Sequence, residues 1–129
     1  MHTLLSLLLN RTQVSSAGLV YIADLTNLHT LELAGTNIDD SGLKCLHNLI
    51  ELQWLDLSKT RVGSESLGRL QVLRHLETLY LNQTQITDAG LLSLERLTQL
   101  QELYLEGNDI SPSAIETLSK RLPSCSIYT

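Results

Sequence analysis

Residues 28–51 read LHTLELAGTNIDDSGLKCLHNLIE, and residues 76–99 read LETLYLNQTQITDAGLLSLERLTQ. The two segments match at every leucine of the first half, at the threonine and isoleucine that follow, and at the glycine and three leucines of the second half. The same frame restarts every 24 residues, at Leu4, Leu28, Leu52, Leu76 and Leu100, with no insertion or deletion. The shared pattern is LxxLxLxxTxI, a short polar link, then GLxxLxxLxx. It divides a single domain, residues 1–129, into turns 4–27, 28–51, 52–75, 76–99 and 100–124 and a C-terminal cap, 125–129.

The period changes inside each turn. In the first half apolar and polar residues alternate, which is the period of a strand. Leu31 and Leu33 therefore face inward, and Thr30, Glu32 and Ala34 face outward. In the second half Leu43, Leu46 and Leu49 recur every third residue, as do Leu91, Leu94 and Leu97, and mark one apolar stripe of a short helix. Asp40-Ser41 and Thr87-Asp88 stand ahead of these stripes and have N-cap chemistry. A lone turn cannot bury its leucines, whereas stacked turns can. Gly18, Gly42 and Gly90 share one place in the frame with Ser66 and Ala114, so the place calls for a small side chain and not for a positive φ.

The frame resembles the leucine-rich repeat family across residues 4–124, and the LxxLxL core is kept in all five turns. The polar position after it holds Thr12, Thr36, Thr60, Thr84 and Asn108, where many family members carry Asn throughout. At this corner a side-chain oxygen is expected to accept from backbone N–H groups that the bend leaves unpaired. The last turn departs from the pattern: Leu122 falls one place late, Pro123 stops the helix, and Ser124–Thr129 reads as a short closing strand, as such families often end. The expected fold is an α/β leucine-rich-repeat solenoid with parallel strands on the concave face and short helices on the convex face. The resemblance implies a protein–protein interaction module, a scaffold or adaptor without catalysis. Two alternatives share the fold: the substrate-recognition part of a ubiquitin ligase, as in F-box-type repeat proteins but without an F-box, and an extracellular ligand-binding repeat domain.

Composition narrows the class. The chain carries 9 Lys+Arg against 14 Asp+Glu, a formal charge of −5, so it lacks the basic excess that phosphate backbones require and no nucleic-acid partner is expected. Leucine fills 31 of 129 positions and phenylalanine none, which itself points to a repeated packing unit. Cys45 and Cys125 are 80 residues apart, which is neither a disulfide framework nor a metal spacing. No apolar run reaches the roughly 18 residues of a membrane span, and the leucines of residues 4–9 lack the flanks of a secretory signal. A cytoplasmic location without membrane contact is expected. Only Met1-His2-Thr3 precedes the first strand, so Leu4, Leu5 and Leu8 would lie near an open edge. Self-association, a partner or an upstream segment is expected to cover it.

Catalytic chemistry is not indicated. His2, His29, His47 and His75 show no spacing to Asp, Ser or Cys that builds a triad or a metal site. Cys45 and Cys125 read as structural thiols, and no phosphate loop occurs, so no cofactor is expected. The sequons Asn10-Arg11-Thr12 and Asn82-Gln83-Thr84 arise because the ladder already supplies the threonine.

The outward strand positions carry the functional expectation. Trp54, the only tryptophan, faces out. Tyr80 and Tyr104 share a column with Glu32 and Asp56, and Glu102 and Glu106 flank them. Aromatics ringed by carboxylates have the composition of a binding hot spot. Glu32, Trp54, Asp56, Tyr80, Glu102, Tyr104 and Glu106 are the candidate protein-binding residues, and the acids favour a partner with a basic surface. The competing role for the rings is cover for the sheet. Arg69, Arg74, Glu95 and Arg96 read as a solvated convex face of mixed sign.

Overall fold

The computed structural model describes residues 3–129. Six three-residue strands form one parallel sheet in sequence order: β1 (Ser6–Leu8), β2 (Thr30–Glu32), β3 (Trp54–Asp56), β4 (Thr78–Tyr80), β5 (Glu102–Tyr104) and β6 (Ser126–Tyr128). Leu7, Leu31, Leu55, Leu79, Leu103 and Ile127 are register partners from strand to strand, so each step across the sheet is one 24-residue turn. The sheet stays open because successive strands pair only with the turns before and after them. The α/β leucine-rich-repeat solenoid expected from the period is the observed fold, with the short helices on the side opposite the exposed sheet face.

The helices are α1 (Asp40–Leu43), α2 (Ser64–Leu67), α3 (Asp88–Leu91) and α4 (Pro112–Arg121). The first three last one turn each and tighten into 3-10 helix, which suits a leucine stripe spaced by threes. In the first turn the whole helical half, Ser16–Ile22, is 3-10. Only α4 runs longer, with Pro112 in its first turn, Ser111 capping Ala114 N–H at 3.2 Å, and Leu122 closing it before Pro123.

The core is a set of leucine columns running through the stack. Leu31, Leu33, Leu43, Leu46, Leu49 and Leu52 are all buried, and so are their counterparts one and two turns on. Each layer covers the next, and no leucine needs a partner from outside its neighbouring turns.

Two polar rows hold the turns in register, and both depart from the sequence reading. The ladder hydroxyls all donate, and only that of Thr12 is also seen to accept, from Val14 N–H at 3.4 Å, among the described residues: Thr36 and Thr60 each donate to the carbonyl three residues back, Leu33 and Leu57, at 2.6 Å. Thr12 and Thr84 do the same toward Leu9 and Leu81. A parallel strand leaves that carbonyl pointing into the bend, and the hydroxyl is the nearest donor. Asn108 does both, since its Nδ2 donates to Leu81 and Leu105 carbonyls while its Oδ1 accepts from Thr84 N–H. Just before this ladder sits a left-handed residue in every turn: Arg11 (φ 57°), Gly35 (φ 69°), Lys59 (φ 57°), Gln83 (φ 52°) and Gly107 (φ 76°).

The second row lies at the helix starts. The N-cap of α1 is Asp39, whose carboxylate accepts from Ser41 N–H at 3.0 Å; Asp40, expected as a cap, is already helical. Its carboxylate instead reaches the next turn and accepts from Gly63 N–H at 2.7 Å. Thr87 is the N-cap of α3, yet its side chain makes no cap bond and meets Ser64 Oγ at 3.3 Å. Turn-to-turn bonds have taken over the local capping groups.

Candidate functional site

The register places every outward strand residue in one of three columns on the concave face. The first runs Ser6, Thr30, Trp54, Thr78, Glu102, Ser126, and the second runs Leu8, Glu32, Asp56, Tyr80, Tyr104, Tyr128. The third, just past the strands, holds Asn10, Ala34, Ser58, Asn82 and Glu106. Parallel strands about 4.8 Å apart give six strands a face of about 24 Å.

The aromatic residues form one continuous ladder. Tyr80 and Tyr104 stack with ring centroids 4.2 Å apart and planes 4° from parallel. Tyr104 and Tyr128 stack at 4.6 Å and 13°. Trp54 joins diagonally, 5.3 Å from Tyr80 and tilted by 42°. Thr78, between Trp54 and Glu102 in the first column, is only 6% exposed. Trp54 is half-buried on the concave face, its ring packed against Tyr80. Its indole N–H is buried and has no hydrogen-bond acceptor among the described residues.

The acids surround the ladder. Glu102 Oε2 accepts from Tyr104 Oη at 3.2 Å. Packing within the ladder desolvates the Tyr104 hydroxyl, and its neighbours Tyr80 and Glu102 act in the same direction, so its pKa rises above 10.0 and the phenol stays neutral. Glu32 accepts from Asn10 Nδ2 at 2.6 Å, and Asp56 accepts from Ser58 N–H at 2.9 Å. Glu106 is exposed. Among the described residues none of these four carboxylates forms an ion pair. Beside Tyr80 the small residues Ala34, Gly35 and Ser58 leave a hollow of about 280 Å³, with Asp56 and Glu106 among its walls and Arg11 and Lys59 at its other side.

All seven candidate residues therefore lie on one face, with Glu32 and Asp56 following Leu8 in the column that the tyrosines continue. The sequence reading missed Tyr128, the fourth ring. The signal was present, since Tyr128 stands 24 positions after Tyr104 just as Ile127 stands 24 after Leu103.

The remaining reactive groups sit apart. His47 and His75 are exposed and His29 is half-buried, while His2 lies outside the described residues. Burial, with the Glu102 charge adding to it, pushes the Cys125 thiol up to about 11, so it stays protonated. Cys45 packs against the core. Among the described residues no three His, Cys, Asp or Glu side chains gather to hold a metal, and no helix is long and apolar enough to cross a membrane.

Two family models match the chain, "Leucine Rich repeats (2 copies)" over residues 74–120 and "Leucine Rich repeat" over residues 24–46, together more than half of its length. No curated protein matches it. Among solved structures, internalin C2 of Listeria monocytogenes is 29% identical with a TM-score of 0.78, covering 98% of this chain and 52% of its own. A leucine-rich-repeat protein of Leptospira interrogans is 26% identical with a TM-score of 0.72, covering 99% of this chain and 38% of its own. A plant peptide hormone receptor solved in complex with RGF2 is 19% identical with a TM-score of 0.68, covering 98% of this chain and 20% of its own, and shares the fold. The chain thus spans about half or less of the length of these structures. With the 24-residue frame, the open parallel sheet and these matches in agreement, the chain belongs to the leucine-rich repeat family.

Proposed function

We propose that this chain is a binding module whose concave face holds a protein partner through basic side chains. Leucine-rich-repeat proteins generally mediate protein–protein interaction and are typically non-enzymatic. The observation that carries the finer reading is the ladder of Trp54, Tyr80, Tyr104 and Tyr128 bordered by four carboxylates that form no ion pair among the described residues. A Lys or Arg side chain laid on such a ring gains cation–π attraction, and a carboxylate beside it adds a charge-assisted hydrogen bond. The rings are held by their neighbours before the partner arrives, which limits the entropy lost on binding. A scaffold or adaptor role in the cytoplasm is part of the proposal. So is self-association through the edge of β1, where Leu8 is 62% exposed, which light scattering across a concentration series tests. Substrate recognition for a ubiquitin ligase and extracellular ligand binding would both use the same face.

The test is a titration with two extended peptides of equal length, one rich in Arg and Lys and one rich in Asp and Glu, followed by tryptophan fluorescence. Saturable quenching of Trp54 by the basic peptide alone, weakened at least tenfold in Tyr80→Ala/Tyr104→Ala, supports the reading. Equal response to both peptides, or no loss in the variant, assigns the rings to sheet cover.

A further inference from the structure

The chain is acidic, yet three of its nine basic Lys and Arg side chains gather where the helical segments return to the strands. A hollow of about 300 Å³ is lined by Gln71, Arg74, Arg96, Thr98 and Gln99. It continues past Arg74, Arg96 and Thr98 into a second hollow that adds Glu95 and Arg121. Three consecutive turns contribute, so the stacking of the solenoid brings together side chains that are distant in sequence. Glu95, the one carboxylate lining either hollow, is taken by Arg121 at 2.9 Å. Arg74 and Arg96 meet no carboxylate within ion-pair distance among the described residues, although acids outnumber bases 14 to 9. The mixed-sign face expected from the sequence is thus sorted, with its acid consumed and two guanidinium groups left facing one cavity.

Each side chain lining the first hollow is a hydrogen-bond donor, and none is apolar. Two guanidinium forks, two carboxamides and a hydroxyl offer more donors than the two oxygens of a carboxylate can accept. A phosphoryl group presents three terminal oxygens and close to two negative charges at neutral pH. Its charge matches the two uncompensated arginines, and its oxygens match the fork geometry of guanidinium.

We propose that this hollow binds a phosphomonoester group, with Arg74 and Arg96 pairing its charge and Thr98, Gln71 and Gln99 completing its hydrogen bonds. The site stands independently of the concave face, since it shares no residue with the aromatic ladder. Its volume leaves room beside the phosphoryl group for the carbon to which the ester is attached. The chemistry is common to a phosphorylated small molecule and to free phosphate, and the experiment separates them.

Isothermal titration calorimetry at about pH 7.5, where the phosphoserine ester is close to doubly ionised, would use inorganic phosphate and O-phosphoserine, with serine in chloride of matched ionic strength as the blank. One-site binding of phosphoserine at least as tight as that of phosphate is expected. It should weaken tenfold or more in Arg74→Gln/Arg96→Gln and strengthen several-fold in Glu95→Gln, which frees Arg121. Arg61→Gln, the same charge change at an exposed residue outside both hollows, should leave it within twofold. Arg61, Arg74 and Arg96 are exposed, so thermal melts of the arginine variants should match the wild type. Binding of phosphate without phosphoserine would overturn the ester assignment. No saturable binding of either, or an Arg61→Gln loss equal to that of the double variant, would overturn the site.

Discussion

Two glycines in helical backbone, Gly68 and Gly90, should respond to alanine with opposite signs. Gly in a helix interior costs about 1 kcal/mol relative to Ala, so propensity alone makes both substitutions stabilising. At Gly68 a new Cβ would meet only Gln71 Nε2, at 3.9 Å, and the propensity gain stands. At Gly90 it would fall 2.5 Å from Ser64 Cβ and 2.6 Å from Ser64 Cα. Backbone of the preceding turn would have to move, and forcing a methyl into a packed site costs about 1–3 kcal/mol. Two contacts this short, one to main chain, put Gly90 near the top of that range, so the net loss is about 1–2 kcal/mol after the propensity gain.

The reason lies in a pairing between residues 26 positions apart. Gly42 packs on Ser16 and Gly90 on Ser64, whereas Ser66 and Ala114 occupy the same frame position above Asp40 and Asp88. Ser16 and Ser64 each accept directly from the N–H of the next turn, at Asp39 (3.0 Å) and Thr87 (3.1 Å), and their short reach draws the turns together. Asp40 and Asp88 span the same gap with a longer side chain, to Gly63 (2.7 Å) and Ser111 (2.8 Å). A Cβ is then accommodated above. Chemical denaturation of the two single variants reads the signs directly, and their thermal melts should shift by about 3–6 °C per kcal/mol for a chain of this size. If Gly90→Ala stabilises as Gly68→Ala does, turn spacing at this row is not set by the serine, and the steric argument fails.

Trp54→Phe removes a buried N–H that has no acceptor, a cost of about 1–3 kcal/mol, against a loss of about 1 kcal/mol of apolar burial; a melt at or above the wild type is expected, and a loss beyond 2 kcal/mol, roughly the scale of a core truncation, would mean the N–H is satisfied. Leu55→Ala, one residue on and fully buried between Leu31 and Leu79, should instead lose about 3–5 kcal/mol in the same denaturation series. Asp88 has its pKa lowered below 3.8 by the Ser111 hydroxyl and then its N–H, so the folded state holds fewer protons than the unfolded one in that range. Its contribution is present above pH 3.8 and lost as pH falls through the lowered value, and Asp88→Asn should flatten the acid side of the stability profile and lower stability by a pH-independent amount above about pH 6.

How much of this was legible follows from what each residue answers to. Strand phase and core columns were readable because burial enforces them, and a leucine one place out of frame would face solvent. The helix starts were displaced by one residue at Asp39, since Asp40 serves the turn above and a local capping rule cannot see that turn. The donated threonine bonds were missed for a related reason: the hydroxyl has both a donor and lone pairs, and only the bend decides which is used. The left-handed position was invisible because Arg11, Lys59 and Gln83 hold it in three turns and glycine in only two. Tyr128 was passed over because the late Leu122 and Pro123 made the tail read as a cap outside the repeat, although the strand count continues through it. The arginine hollow depends on side chains from three turns and has no signature along the chain.

The concave face is not uniformly free for binding, and this decides which substitutions can test it. Asn10 and Asn82 each accept from an N–H one turn on, Ala34 and Glu106, both at 2.8 Å, and Ser58 Oγ accepts from Asn82 N–H at 3.1 Å. The third column is therefore mortar between turns. At one place in that column the preceding residue is Ala34, which has no acceptor to offer Ser58 N–H. Asp56 supplies it from within its own turn, at 2.9 Å, beneath a serine that is only 8% exposed. Asp56 is thus both a candidate partner for a basic side chain and the acceptor that keeps a buried N–H satisfied. Asp56→Ala would remove both functions at once, and weakened binding would then say nothing about charge. Asp56→Asn keeps an oxygen for Ser58 and removes the negative charge alone. If the proposed partner is read by charge, Asp56→Asn weakens it while the melt stays within about 0.5 kcal/mol of the wild type; if binding survives, the face recognises its partner through the rings.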